Sequence, residues 1–192
     1  TIRRLGAQLD GLNNCKYQGS VYFVPGNHDW WNSTNMKKGK RHLQMEESFI
    51  ESSLGKNPFI RNSNNPFMPV NGNPIDEVDL NSNQLKLIFL DTQWLIIQKN
   101  ENEKTKVYSL LDSMLNKAIA RNQNILVAAH HPIYTIGKHS KKHRNEFPKL
   151  WKAQDIYHPL YKEMRVRIEN ILSQKNYPII YASGHDHVLE YF

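Results

Sequence analysis

Five of the nine histidines stand in three short clusters: Gly26-Asn27-His28-Asp29, Ala129-His130-His131-Pro132 and Gly184-His185-Asp186-His187. Neutral imidazole nitrogens and an amide oxygen are good ligands for first-row metal ions of intermediate softness. In the last cluster, the alternation of an extended segment would send His185 and His187 to one side. Each could then serve one metal of a pair about 3.5 to 4 Å apart. Taken singly, each cluster has an ordinary structural explanation, because Asn closes turns, H-H-P is a common turn and H-x-H is short. Their joint placement is harder to explain that way.

Each cluster directly follows a short apolar run. The runs Ser20 to Pro25, Leu85 to Asp91, Asn124 to Ala129 and Tyr177 to Ser183 predict strands, too uniformly apolar for one face to be in water. Helical periodicity marks residues Ile2 to Leu12, Arg41 to Leu54, Val107 to Arg121 and Leu160 to Gln174. The last two lead straight into strands, which predicts an α/β sandwich with its strands covered on both faces. The stretch Gly55 to Asn83, rich in Asn, Pro and Gly, predicts an irregular excursion with a short hairpin. Ligands of α/β sheets bind beyond the carboxyl ends of the strands. Three ligand-bearing turns on one rim can therefore converge on a point.

Composition narrows the class without naming a function. The 192 residues are 39% hydrophobic and 22% charged, values for a globular domain, and no run approaches a membrane span. A single cysteine, Cys15, excludes an internal disulfide framework and a cysteine-based zinc site. The formal charge of +7 permits an anionic partner. It concentrates between Gly137 and Lys152, where Lys138, Lys141, Lys142, Arg144, Lys149 and Lys152 face one acid, Glu146. This run begins five residues after Pro132, at the same rim as the histidines, and predicts a cleft mouth that draws multiply charged esters such as nucleotides.

The series G-N-H-D, L-D-T, V-A-A-H-H-P and S-G-H-D-H resembles the later motif blocks of the calcineurin-like metallophosphoesterases. Within that superfamily it is similar to the purple acid phosphatase branch. The Trp30-Trp31 pair, the E-E-x-F-I helix and D-T-Q-W also resemble envelope metallophosphoesterases of the Bacteroidetes kind. The resemblance implies hydrolysis of phosphate esters at two metal ions, drawn from Fe, Zn and Mn. It implies that Asn27, His130 and His185 hold the second ion and that His187 reaches the first. His28 would hold the phosphate or protonate the leaving group, and His139 matches a further active-site histidine. His131 falls where the purple acid phosphatases carry Tyr and is not expected to bind metal. Asp29, Asp91 and Asp186 are expected to hold turns.

The resemblance also implies two upstream blocks, whose Asp residues serve and bridge the metals, and nothing before Val21 supplies them. Residues 1–192 are accordingly expected to be the C-terminal part of one phosphoesterase domain, incomplete on its N-terminal side and carrying half a site. A cell-envelope or secreted location is what the resemblance favours. A phosphodiesterase or nuclease on the same centre is the alternative enzyme. A binding module that has lost catalysis, or a nucleic-acid binder using Phe147 and Trp151 among the basic residues, are the alternatives of other classes, and no stable nucleic-acid complex is expected.

Overall fold

In the computed structural model, which describes residues 2–31, 35–55, 65–140 and 154–192, four strands form one mixed sheet in the order β1-β2-β3-β4. They are β1 (Ile75–Leu80), β2 (Leu85–Leu90), β3 (Asn124–Ala129) and β4 (Ile179–Ala182). The first two pair antiparallel and the others parallel, with Leu90 opposite Ala129 and Ala128 opposite Ala182. The parallel steps need crossovers, and helices supply them: α3 (Thr92–Ile97) and α4 (Glu101–Ala120) lead from β2 to β3, and α5 (Pro159–Ser173) leads into β4. Two helices precede the sheet, α1 (Ile2–Asn14) and α2 (Met36–Leu54), packed on one another. The mixed α/β class expected from the sequence is the class observed.

The core lies where α4 meets the sheet. Val107, Leu111, Leu115 and Ala118 recur at helical spacing, and all are buried against Ile88, Leu90 and Val127 in one continuous cluster. Burying a side chain such as Leu111 or Leu115 contributes roughly 1.5 to 3 kcal/mol. Asn100 starts α4 by accepting hydrogen bonds from the N–H groups of Asn102 and Glu103.

Three expectations are corrected here. Residues Ser20 to Pro25 form no ladder with the sheet; Phe23 makes one parallel bridge to Phe67, and Tyr22 packs its ring 5.2 Å from that of Phe89. The apolar run thus covers the sheet instead of joining it. The hairpin arises from β1 with β2, closed by Asn81, Ser82 and Asn83 in left-handed backbone, at φ of 52°, 54° and 66°. Strand β1 carries Asp76, Glu77 and Asp79, poor strand formers, but the buried Lys86 ammonium on β2 pairs with Glu77 at 3.1 Å and Asp79 at 2.8 Å. Finally, β4 is covered on one face only, with Ile180 64% exposed.

Candidate metal centre

The turn Gly26 to Trp31 is locked from two sides. Within it, the Gly26 N–H donates to Asp29 Oδ2 at 2.7 Å, and the Trp31 N–H donates to the His28 carbonyl at 2.8 Å. Outside it, the fully buried Trp30 donates its indole N–H to Asp91 Oδ2 at 2.8 Å. The other oxygen of Asp91 accepts from the Trp94 N–H at 2.9 Å and caps α3. One carboxylate therefore ties the first cluster to the end of β2. Its complete burial pushes the Asp91 pKa up to about 7 against the opposing pull of these hydrogen bonds.

The clusters after β3 and β4 are joined directly, since the Gly184 N–H donates to the His130 carbonyl at 3.1 Å. Three donor atoms from three separate loops then meet. His130 Nε2 lies 2.9 Å from Asn27 Oδ1 and 3.1 Å from His185 Nδ1. The far nitrogen of His185, Nε2, lies 2.8 Å from the Gln154 carbonyl oxygen. A carbonyl only accepts, so Nε2 carries the hydrogen and Nδ1 presents its lone pair toward His130. Without an ion, one proton on His130 Nε2 is all that separates these acceptors. Nitrogen ligands of a tetrahedral metal lie roughly 3.3 Å from one another, by the usual metal–nitrogen bond length, so a cation in place of that proton fits with little movement.

The electrostatics favour the lone pairs. Burial pushes His130 down to about 3, and the neighbouring His185 adds to the shift; burial likewise pushes His185 down to about 4. Both rings are neutral near pH 7, the form that binds metal.

His131 completes a group of three imidazoles whose ligating atoms lie within 4.8 Å of one another, and among the described residues no carboxylate joins them. Both of its nitrogens are occupied, however: Nδ1 lies 2.7 Å from Thr92 Oγ1 and Nε2 lies 2.8 Å from Gln154 Oε1. It stands behind the site, fully buried. The three acids hold turns, as the motif suggests: Asp29 closes the first, Asp91 caps α3, and Asp186 accepts from Thr135 and from the His139 N–H. Burial alone would raise the Asp186 pKa, but these hydrogen bonds hold it below the usual carboxylate range.

The other named residues occupy different places. His139 stacks on His185, ring centroids 4.4 Å and planes 28° apart, and its Nδ1 lies 3.2 Å from Asp155 Oδ1. His28 is exposed on the turn beside Asn27. The strand-like alternation expected of His185 and His187 does not occur, because both adopt left-handed backbone, at φ of 68° and 55°. As a result His185 is buried and His187 is exposed, outside the three-imidazole group. Trp31 is 59% exposed, with the Lys38 ammonium 4.3 Å from its ring centroid and the His42 ring set edge to face against it. Of the basic run, residues 141–152 lie outside the described residues. Thr92 and Gln154 were not foreseen; Thr92 stands in the L-D-T strand end, whereas nothing in the sequence around Gln154 marks it. A cleft of about 510 Å³ lies between residues 132–135, β4 and the C-terminal segment to Phe192; Pro132, Gly184 and Asp186 line it, but none of the histidines does.

The family model described as calcineurin-like phosphoesterase matches residues 4–189. The chain belongs to that family, whose members hydrolyse phosphoesters with the help of bound metal, and its histidine cluster fits a metal site. No curated protein and no solved structure matches the chain.

Proposed function

We propose that the protein is a phosphomonoesterase of the purple acid phosphatase-like kind, working with two metal ions drawn from Fe, Zn and Mn. The observation that carries this reading is the meeting of Asn27 Oδ1, His130 Nε2 and His185 Nδ1, each from a different loop, within 3.1 Å of the His130 nitrogen. In this reading those three atoms hold one ion, and His187 serves the other. Two cations about 4 Å apart repel strongly and need anionic ligands between them, so the described residues carry one half of the centre.

When bound, the metal supplies a water of lowered pKa and a sink for charge on the phosphoryl oxygens. The chain's own residues orient and protonate. His28, exposed beside Asn27, donates a hydrogen bond to the phosphate or a proton to the leaving oxygen. His139, stacked on His185 and bonded to Asp155, is the further active-site histidine in this reading. The substrate class is a phosphorylated small molecule or nucleotide, drawn in by the basic run that begins at Lys138. A cell-envelope or secreted location belongs to the same proposal and rests on the motif resemblance alone.

Turnover of an aryl monophosphate and of a bis-aryl phosphate by the full-length protein tests the reading. Chelator-sensitive hydrolysis favouring the monoester is expected. A preference for the diester would make the protein a phosphodiesterase, and chelator-insensitive hydrolysis would remove the metal centre from the account.

A further inference from the structure

Behind the candidate ligands lies a chain of buried polar contacts that the proposed chemistry does not use. It starts at the first residues of α3. Thr92 Oγ1 meets His131 Nδ1 at 2.7 Å and also accepts from the His131 backbone N–H at 3.1 Å. His131 Nε2 meets Gln154 Oε1 at 2.8 Å, and Gln154 Nε2 donates to Gln93 Oε1 at 3.1 Å. Thr92, Gln93 and His131 are each no more than 2% exposed. The Tyr181 hydroxyl adds a bond to the His131 carbonyl at 2.9 Å. Buried polar groups are costly unless every member is satisfied, and here each named nitrogen and oxygen has a partner.

The last contact gives this chain a purpose. Gln154 precedes α5 in a segment without regular structure, so no helix or strand ladder fixes its carbonyl. Its side chain does, through His131 on one side and Gln93 on the other. That carbonyl is the acceptor 2.8 Å from His185 Nε2. Flipping both amides together reverses the protons along the chain and keeps every contact, so the carbonyl stays anchored either way.

We propose that Gln154 and His131 are positioning residues that fix the tautomer and ring orientation of His185, keeping hydrogen on Nε2 and the Nδ1 lone pair aimed at His130 and Asn27. The proposal deepens the metal-centre reading and rests on it for its purpose, though not for its geometry. Partners of this kind, one bond removed from a metal, typically change affinity by 10- to 100-fold when lost.

The test uses the metal-free full-length protein with ¹⁵N-labelled histidine. Wild type should show His185 with hydrogen on Nε2. Gln154→Ala should give a mixture of tautomers and a Zn²⁺ affinity roughly 10- to 100-fold weaker, with the melting temperature checked separately. His131→Phe should act in the same direction, and because it alters the core, Gln154→Ala carries the decision. Gln154→Glu keeps an acceptor for His131 and should restore both readouts. A Gln154→Ala protein that keeps the wild-type tautomer and Zn²⁺ affinity overturns the proposal. Wild type that fails to bind Zn²⁺ would instead overturn the metal centre, while a tautomer shift in Gln154→Ala would still support the positioning role.

Discussion

Gly26 lies so close to the His130 ring that a Cβ on it would sit 2.5 Å from the ring atoms Cε1 and Nδ1. The contact explains why the first cluster opens with glycine, at a position with no need for left-handed backbone. A side chain there would push away the imidazole that the other two donor atoms surround. Gly26→Ala is expected to cost about 1 to 3 kcal/mol of stability, as overpacking does. It should also weaken Zn²⁺ binding by roughly tenfold or more, in the range for disturbed ligand support. Denaturant melts and a Zn²⁺ titration check both, and unchanged affinity would mean that His130 has room to move.

Asp91 gives a pH signature. Its carboxyl has a folded-state pKa near 7 and an unfolded value of 3.8, so the folded chain holds the proton more tightly between those limits. The stability this supplies is fully present below about pH 4 and is lost as pH rises through about 7. In Asp91→Asn that change is absent. The stability difference between wild type and Asp91→Asn should therefore shift by about 2 to 4 kcal/mol in favour of the variant from pH 4 to pH 8, at 1.36 kcal/mol per unit of pKa. The paired measurement cancels the buried histidines, whose lowered pKa values act in the opposite direction. A constant difference would place the charged carboxylate comfortably in the core.

His28→Ala in the full-length enzyme should lower turnover by roughly 10²-fold or more, the usual range for a lost general acid, while metal content stays unchanged. Metal analysis alongside steady-state kinetics separates the two effects. Loss of metal would move His28 into the ligand set.

The basic run makes a kinetic prediction. Neutralising Lys141, Lys142 and Arg144 together should raise KM for nucleotides at low salt. The effect should fade toward about 1 M salt, where the Debye length is near 3 Å. An unchanged KM at low salt would make the run a solvated surface loop.

What could be read in advance follows from which signals are local. β3 runs over the expected Asn124 to Ala129, and α5 and β2 end within one residue of expectation, because apolar periodicity and sharp turn residues coincide there. Helices α2 and α4 begin earlier than their apolar stripes, at Met36 and Glu101, because Asn35 and Asn100 cap them ahead of the first buried turn. Strand β1 was hidden by its acids, of which Glu77 and Asp79 pair with the buried Lys86 across the ladder and Asp79 also accepts from Gln123. Helix α3 was hidden because T-Q-W-L-I-I is buried all round and carries no periodicity. The convergence of Asn27, His130 and His185 was legible from three motifs that each follow a short apolar run, although only the last two of those runs are strands of the sheet. The split between His185 and His187 was not, because it depends on two residues in left-handed backbone that H-x-H does not announce.

The central claim is that three loops share one metal ion. Metal content of the full-length protein and of Asn27→Ala, His130→Ala and His185→Ala, measured after identical loading and desalting, tests it most directly. The account predicts that each substitution removes the same single equivalent and that combining two of them removes no more than one alone. Full metal content in His130→Ala, the residue at the middle of the three, would contradict it.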